Sequence, residues 1–122
     1  NSLFKWSNFF RFCSYEAFGD IFSLAELEHC ILRGAMSRPS INFLAQHFLI
    51  PNVEYSFALQ IRDYRLLWGI FCGATSNMSE IPIYTPEDLD KQLDAIIRLS
   101  LAAEVKFKDD HSVVLPVPCQ LF

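Results

Sequence analysis

Two stretches of the chain repeat their apolar residues with the spacing of an amphipathic helix, one at about 23–33 and one at about 86–103. In the first, Ser23 and Glu26 have the spacing of a capping box, in which each side chain accepts a hydrogen bond from the backbone N–H of the other residue. Gly34 follows the last apolar position and predicts a left-handed helix end. We therefore expect a short helix of about three turns.

The second stretch predicts the longer helix. Pro86 suits its first position, and the acidic residues that follow complement the positive end of the helix dipole. Apolar residues collect on one face, namely Leu89, Leu93, Ile96, Ile97 and Ala103. A helix of this kind packs one side against a sheet.

The remaining apolar residues predict strands. Residues 15–22 alternate around Gly19 and Asp20, which indicates a short strand pair with a turn. The continuous apolar run at 66–72 predicts a central strand covered on both faces. A short helix is also predicted at 41–50, and further strands at 80–84, 105–108 and 112–117. The expected fold class is α/β (or α+β), with a mixed sheet in a single domain over residues 1–122.

Composition limits the classes of protein to which the chain can belong. Hydrophobic residues make up 52% of the 122 residues and charged residues 20%, which supplies a packed core. The longest apolar run, Leu66 to Ala74, has nine residues and is too short to span a membrane. The net charge is -4 and the basic residues are scattered, so nucleic acid is not an expected partner.

The four cysteines, at positions 13, 30, 72 and 119, lie far apart and form no C-x-x-C pair. We expect reduced thiols in a cytoplasmic protein, where most such residues are small buried hydrophobes. A metal site needs three or four converging ligands, and only His29 and Cys30 are neighbours in the sequence. Neither a metal nor another cofactor is therefore expected.

Two segments carry a family resemblance. Phe22 to Arg33 reads FSLAELEHCILR, and residues 63–94 contain CGATS followed by IYTPEDLDKQLD. Both are similar to signatures of the domain-of-unknown-function 547 family, and the resemblance spans nearly the whole chain. The Asn-bearing helix that family members usually carry upstream is absent, so we expect a fragment of a longer domain or protein. The resemblance implies no known activity.

Glu28 is the residue of the first helix that contradicts its surroundings. On a helical wheel it falls within the apolar arc of Leu24, Leu27 and Ile31. A carboxylate there must be hydrogen-bonded, paired or protonated. One interpretation is a structural ion pair, with Arg62 or Arg65 as partner; the other is an acid that acts in catalysis or grips a ligand. The resemblance implies that any shared site includes Glu28, His29 and Arg33, whereas a lone histidine indicates only a polar face.

Cys72 is the candidate nucleophile, because it closes the predicted central strand and precedes a loop of small residues. His29 would lower the pKa of its thiol, and backbone amides between Gly73 and Ser76 would stabilise an oxyanion. Glu28 or Asp63 would orient the imidazole, and Ser76 would line the site. This arrangement predicts a cysteine-dependent hydrolase or acyltransferase.

The other hypothesis, which we rank first, is a noncatalytic interaction or scaffold module. Its partner would be another protein or a neighbouring domain of the same chain. The aromatic N-terminal stretch, with Phe4, Trp6 and Phe9, and the C-terminal Leu121 and Phe122 would provide the docking surface. Exposed aromatic side chains favour this hypothesis, and a cleft that joins the 73–79 loop to the first helix favours catalysis.

Overall fold

The structure is a computed structural model that describes residues 2–40, 46–47, 49–70, 80–109 and 111–121. Its helices and small antiparallel sheets confirm the mixed α/β class. The chain divides into two compact units, Asn1–Asp63 and Tyr64–Phe122. The single domain over residues 1–122 stays a prediction. Among the described residues, no helix has the length and apolar character needed to cross a membrane.

The first unit begins with helix α1 (Ser2–Phe12) and an antiparallel hairpin of strands β1 (Ser14–Ala17) and β2 (Asp20–Ser23). Phe18 and Gly19 form the two-residue turn, and both have positive φ angles, 58° and 82°. Two positive φ angles match the right-handed twist of the strands they join. The predicted strand pair is confirmed, although its turn lies one residue earlier than expected.

Helix α2 (Leu24–Glu26) follows the hairpin and continues without a break as a π-helical stretch, the π-segment (Leu27–Leu32). The capping box is confirmed, because Ser23 Oγ accepts from the Glu26 N–H at 3.2 Å and Glu26 Oε2 accepts from the Ser23 N–H at 2.7 Å. The helix therefore starts where the sequence predicts.

The helix end differs from the prediction. Gly34 does not adopt a left-handed conformation; among the described glycines, Gly19 has a positive φ. The Arg33 N–H instead donates to the Glu28 carbonyl at 3.0 Å, which is the i to i+5 bond of a π-helix. A Cβ on Gly34 would lie 2.5 Å from the Cys30 carbonyl oxygen. Glycine is needed here for close approach of two backbone segments.

The core of the first unit forms beneath a strap, residues 51–60, that has no regular secondary structure. The Leu59 N–H donates to the Ile31 carbonyl at 2.9 Å, and the Cys30 thiol donates to the Pro51 carbonyl at 3.5 Å. The buried apolar side chains among the described residues of this unit are Phe22, Ala25, Cys30, Ile31, Met36 and Ile50. The predicted helix at 41–50 falls largely outside the described residues. In the part that is described, the Ile50 N–H donates to the Gln46 carbonyl at 3.1 Å, which closes a helical turn.

In the second unit, helix α3 (Leu66–Gly69) replaces the start of the predicted central strand. This prediction was wrong, because a short apolar run fits a buried helix as well as a buried strand. The Gly69 N–H donates to the Arg65 carbonyl at 2.9 Å, and the Leu67 side chain is buried. Without that strand, the described strands pair as two separate antiparallel hairpins instead of one mixed sheet.

Helix α4 (Leu89–Glu104) is the predicted long helix, and it begins three residues later than expected. Its buried residues are Leu93, Ile96 and Ser100, so Leu93 and Ile96 of the predicted face are confirmed, while Leu89 and Ala103 are exposed. A Cβ on Gly69 would meet Leu93 Cδ2 at 2.6 Å, which shows how closely α3 approaches α4.

The second hairpin, β3 (Lys106–Asp109) with β4 (Ser112–Val114), confirms the predicted strand pair near the C-terminus. A short helix α5 (Pro118–Leu121) follows. Residues 80–84, predicted as a strand, have no regular secondary structure. The Tyr84 hydroxyl donates to the Gly69 carbonyl at 2.6 Å, and this bond holds the segment against α3 instead of in a sheet.

Candidate functional site

The polar residues of the first helix meet on the π-segment. Arg33 Nη1 and Glu28 Oε1 are 2.8 Å apart, and the two side chains are only 12% and 16% exposed. On an α-helix, residues five apart would point about 140° away from each other. The i to i+5 repeat of the π-segment brings them to one side, so Glu28 is paired within its own helix.

The predicted partners of Glu28 were wrong. Arg62 Nε donates to the Ala35 carbonyl at 2.9 Å, and Arg65 pairs with Asp90 and Asp94 in the second unit. Glu28 therefore fits the structural interpretation, in which a largely buried carboxylate is neutralised by a fixed cation.

His29 is half-buried and follows Glu28 on the π-segment. Burial lowers the pKa of its imidazole below the usual 6.5; the Glu28 carboxylate opposes this shift, and Arg33 and Arg38 reinforce it. The ring is therefore mostly neutral at pH 7. A neutral imidazole can accept a proton, so His29 retains the chemical capacity of a general base.

The nucleophile proposed from the sequence cannot be placed beside this ring. Cys72, Gly73 and Ser76 lie within 71–79, outside the described residues. Cys30, which adjoins His29, is a buried thiol bonded to a backbone carbonyl and has the ordinary packing role. Asp63, the alternative orienter of the imidazole, is half-buried at the end of the first unit. A Cys72 and His29 pair stays a prediction.

In the described ranges of the chain, no group of three or more His, Cys, Asp or Glu side chains could hold a metal ion. The described thiols of Cys13, Cys30 and Cys119 are free, with no disulfide.

A second feature, which the sequence did not reveal, is an aromatic cluster made by Phe18, Phe22, Tyr55 and Phe57. The ring of Phe57 lies 5.2 Å from that of Phe18, 5.4 Å from Tyr55 and 6.1 Å from Phe22, measured between centroids. Phe22 is only 4% exposed and anchors the cluster in the core, whereas Phe18 is 82% exposed. The cluster thus extends from the core to solvent.

Two carboxylates lie close enough to Tyr55 to act on its hydroxyl. Burial raises the pKa of the Tyr55 hydroxyl, and the nearby Glu26 and Asp20 carboxylates raise it further. Glu54 precedes Tyr55 and is exposed. The phenol therefore lies in a negative electrostatic environment.

The aromatic residues expected to dock from the N-terminus are only partly described. Phe9 is exposed and packs edge-on against Phe10, with the ring centroids 5.7 Å apart. The side chains of Phe4, Trp6 and Leu121, and the whole of Phe122, lie outside the described part of the structure.

The sequence carries a signal for the hairpin but none for the aromatic cluster. The dipeptide Phe18-Gly19 sits at the centre of a period-two pattern, and two-residue hairpin turns need positive φ at both positions. Because phenylalanine is a poor residue for such a turn, the sequence pattern favoured a turn at Gly19 and Asp20 instead. Tyr55 and Phe57 lie in a strap with no periodicity, and nothing in the sequence joined them to the hairpin.

Comparison with known proteins gives one match. The model of the family described as Protein of unknown function, DUF547, matches residues 2–99, which includes α1, the first hairpin, the π-segment and the first part of α4. No protein of curated function and no solved structure matches the chain. The matched span covers well over half of the sequence and includes both signature segments, so the chain belongs to the DUF547 family.

Proposed function

We propose that this chain is a noncatalytic interaction module that docks on a protein partner, or on a neighbouring domain of its own chain, through the aromatic cluster. The observation that carries the proposal is Phe18, which is 82% exposed and has a φ of 58°. A bulky residue in the left-handed region costs about 1 kcal/mol or more. An exposed phenylalanine also lacks the stabilising free energy that burial of its ring would contribute.

Glycine or asparagine would form the same turn at lower cost. Phe18 contacts Phe57 in the isolated chain, but most of its ring surface remains available. A partner that covers the ring would recover the burial that the free chain lacks. Phe12, Tyr15 and Ile21 are also exposed, which adds apolar surface to the same stretch of the chain.

The polar residues of the family signature support the same reading. Glu28 and Arg33 are paired with each other at 2.8 Å, and each is largely buried. Their role in this reading is to hold the π-segment, not to contact a substrate. The free thiols of Cys13, Cys30 and Cys119 agree with a reducing compartment, so the proposed location is the cytoplasm.

Site-directed photo-crosslinking in the native cell tests the proposal. The photoreactive residue p-benzoylphenylalanine replaces Phe18 in the full-length protein. The matched control carries it at Phe107, which is an equally exposed phenylalanine, also 82%, on the hairpin of the second unit. We expect position 18 to give one defined cross-linked product, in clear excess over position 107.

A cross-linking yield at position 18 no higher than at position 107 would contradict the proposal. A product that maps to another segment of the same chain identifies a neighbouring domain as the partner. A product of higher mass that contains a second polypeptide identifies a separate protein.

The alternative is a cysteine-dependent hydrolase or acyltransferase that uses Cys72 and His29. The observation in its favour is a half-buried, mostly neutral imidazole on a π-helical stretch, a geometry often found at functional sites. If this alternative holds, alkylation of Cys72 by iodoacetamide is faster than that of exposed Cys13 or Cys119 near neutral pH, and His29→Gln removes the difference. Mass spectrometry of each cysteine peptide gives the rates.

A further inference from the structure

We propose that the aromatic cluster receives a basic segment of its partner, whose arginine or lysine side chain stacks on the exposed rings and pairs with Asp20 and Glu54. This inference rests on the proposed function and adds the chemistry of the partner. It is carried by the coincidence of exposed aromatic rings with two exposed carboxylates, Asp20 and Glu54, that form no ion pair among the described residues.

The chain segments that contribute the four rings carry more acidic than basic residues. Residues 12–32 and 39–61, which contribute all four rings, carry five carboxylates and no lysine or arginine. Glu28 is committed to Arg33, and Glu26 accepts hydrogen bonds in the capping box. Asp20 and Glu54 form no ion pair with any residue that the structure describes, and Glu16 completes the five.

The hairpin register places Asp20 on the same face as the cluster. Tyr15 is paired with Phe22 and Ala17 with Asp20, and side chains alternate along a strand, so Asp20 and Phe22 share a face. Glu16 is paired with Ile21 and belongs to the opposite face. The two exposed carboxylates of one hairpin thus differ in the face they occupy.

Aromatic faces attract cations through their quadrupole, and nearby carboxylates strengthen that attraction. A guanidinium stacked on the Tyr55 ring could also pair with Asp20, whose carboxylate acts on the Tyr55 hydroxyl, and arginine favours this combination of contacts at protein interfaces. Anionic partners such as nucleic acid or acidic lipid surfaces would be repelled. A symmetric second copy would oppose Asp20 and Glu54 with their own equivalents.

The first experiment measures binding of a short fluorescein-labelled peptide of Arg-Leu-Gly repeats to the whole chain by fluorescence anisotropy at low salt. A second peptide has citrulline, which is neutral and nearly isosteric, in place of each arginine. We expect the arginine peptide to bind about tenfold more tightly than the citrulline peptide, and added salt to reduce the difference.

Three variants locate the site. Phe18→Gly removes the ring and keeps the turn, because glycine accepts a φ of 58° without strain. The double variant Asp20→Asn with Glu54→Gln removes the two charges that the basic segment is proposed to contact, and Glu16→Gln removes a charge from the opposite face of the hairpin. We expect roughly tenfold weaker binding for the first, several-fold for the second and less than twofold for the third. Thermal unfolding of each variant confirms that it is folded.

The inference is overturned if Glu16→Gln weakens binding as much as the double variant, since the attraction would then be non-specific. It is also overturned if the citrulline peptide binds equally well; in that case a loss with Phe18→Gly still supports docking on the rings. If the peptide does not bind but position 18 gives a cross-link, the basic partner is refuted and the proposed docking function is not. If the peptide does not bind and position 18 gives no cross-link, the proposed docking function is refuted as well.

Sedimentation velocity tests whether a second copy of the chain covers the cluster instead. If the chain self-associates and Phe18→Gly makes it monomeric, a second copy covers the cluster and the basic segment is the wrong partner. A monomer at all concentrations, with retained peptide binding, supports the inference.

Discussion

The chain contains two arginine sites whose difference shows what an ion pair contributes in each setting. Arg33 pairs with Glu28 at the end of the π-segment, and both side chains are largely buried. Arg65 pairs with Asp90 and Asp94 at 2.7 and 3.0 Å, and those carboxylates are mostly exposed. The buried pair is the one on which we expect folding to depend, because solvent can replace a partner only where solvent can enter.

The largest effect is expected from Arg33→Met. It leaves the Glu28 carboxylate largely buried and without its cation, and we expect a loss of about 3 kcal/mol in the free energy of unfolding. Urea unfolding followed by circular dichroism measures this loss. A loss under about 1 kcal/mol would mean that Glu28 finds another partner or protonates at little cost, and the contrast between the two sites would disappear.

The double variant Glu28→Gln with Arg33→Met sharpens the comparison. Because no charge is left buried, it should be more stable than Arg33→Met alone by about 1–2 kcal/mol. The measurement is the same urea series with the two single variants included. If the double variant equals the sum of the single losses, then Glu28 and Arg33 do not act as a pair.

A smaller effect is expected at the exposed site. Arg65→Met should cost about 1 kcal/mol or less in the free energy of unfolding, and 1 M salt should reduce that cost further. The effect of Arg33→Met should change little with salt, since the pair is shielded from solvent. Equal salt dependence at the two sites would contradict the assignment of their environments.

The smallest effect concerns pH. The pKa of His29 is lower in the folded protein than its usual value of 6.5, so the unfolded chain binds more protons as the pH falls. The stabilising contribution is present above about pH 6.5 and is lost as the pH falls through the folded pKa. His29→Gln should therefore flatten the decline in stability below that pH, as measured by thermal unfolding. If stability declines below that pH as steeply in His29→Gln as in the unmodified chain, other titratable groups cause the decline.

Local rules predicted the parts of the fold that depend on neighbours in the sequence. The Ser23 and Glu26 capping box, the first hairpin and the long helix follow from spacing and turn chemistry. The run at 66–69 was misread, because apolar content alone does not separate a strand from a buried helix, and the Arg65 contacts that anchor α3 come from 25 and 29 residues away.

The candidate site residues stay a prediction, and the geometry around them could not be read from the sequence. Glu28 pairs with Arg33 through the i to i+5 repeat of the π-segment, which a helical wheel with an α-helical period does not include. The aromatic cluster needs a phenylalanine at a φ of 58° and two rings from the irregular strap. Such a conformation is set by tertiary contacts, and no local propensity favours it.

The hydrogen bond from the Leu59 N–H to the Ile31 carbonyl joins positions 28 residues apart at the end of the π-segment. A helix ordinarily satisfies its final carbonyls within its own last turn or with water. Here the last turn is completed by a strap that arrives only after the intervening loop has closed, and closure of a loop of that length has an entropic cost that precedes the gain. We therefore expect the helix to mature late along the folding pathway, and its C-terminal turn, with Arg33, to exchange its amide hydrogens at the rate at which the strap opens.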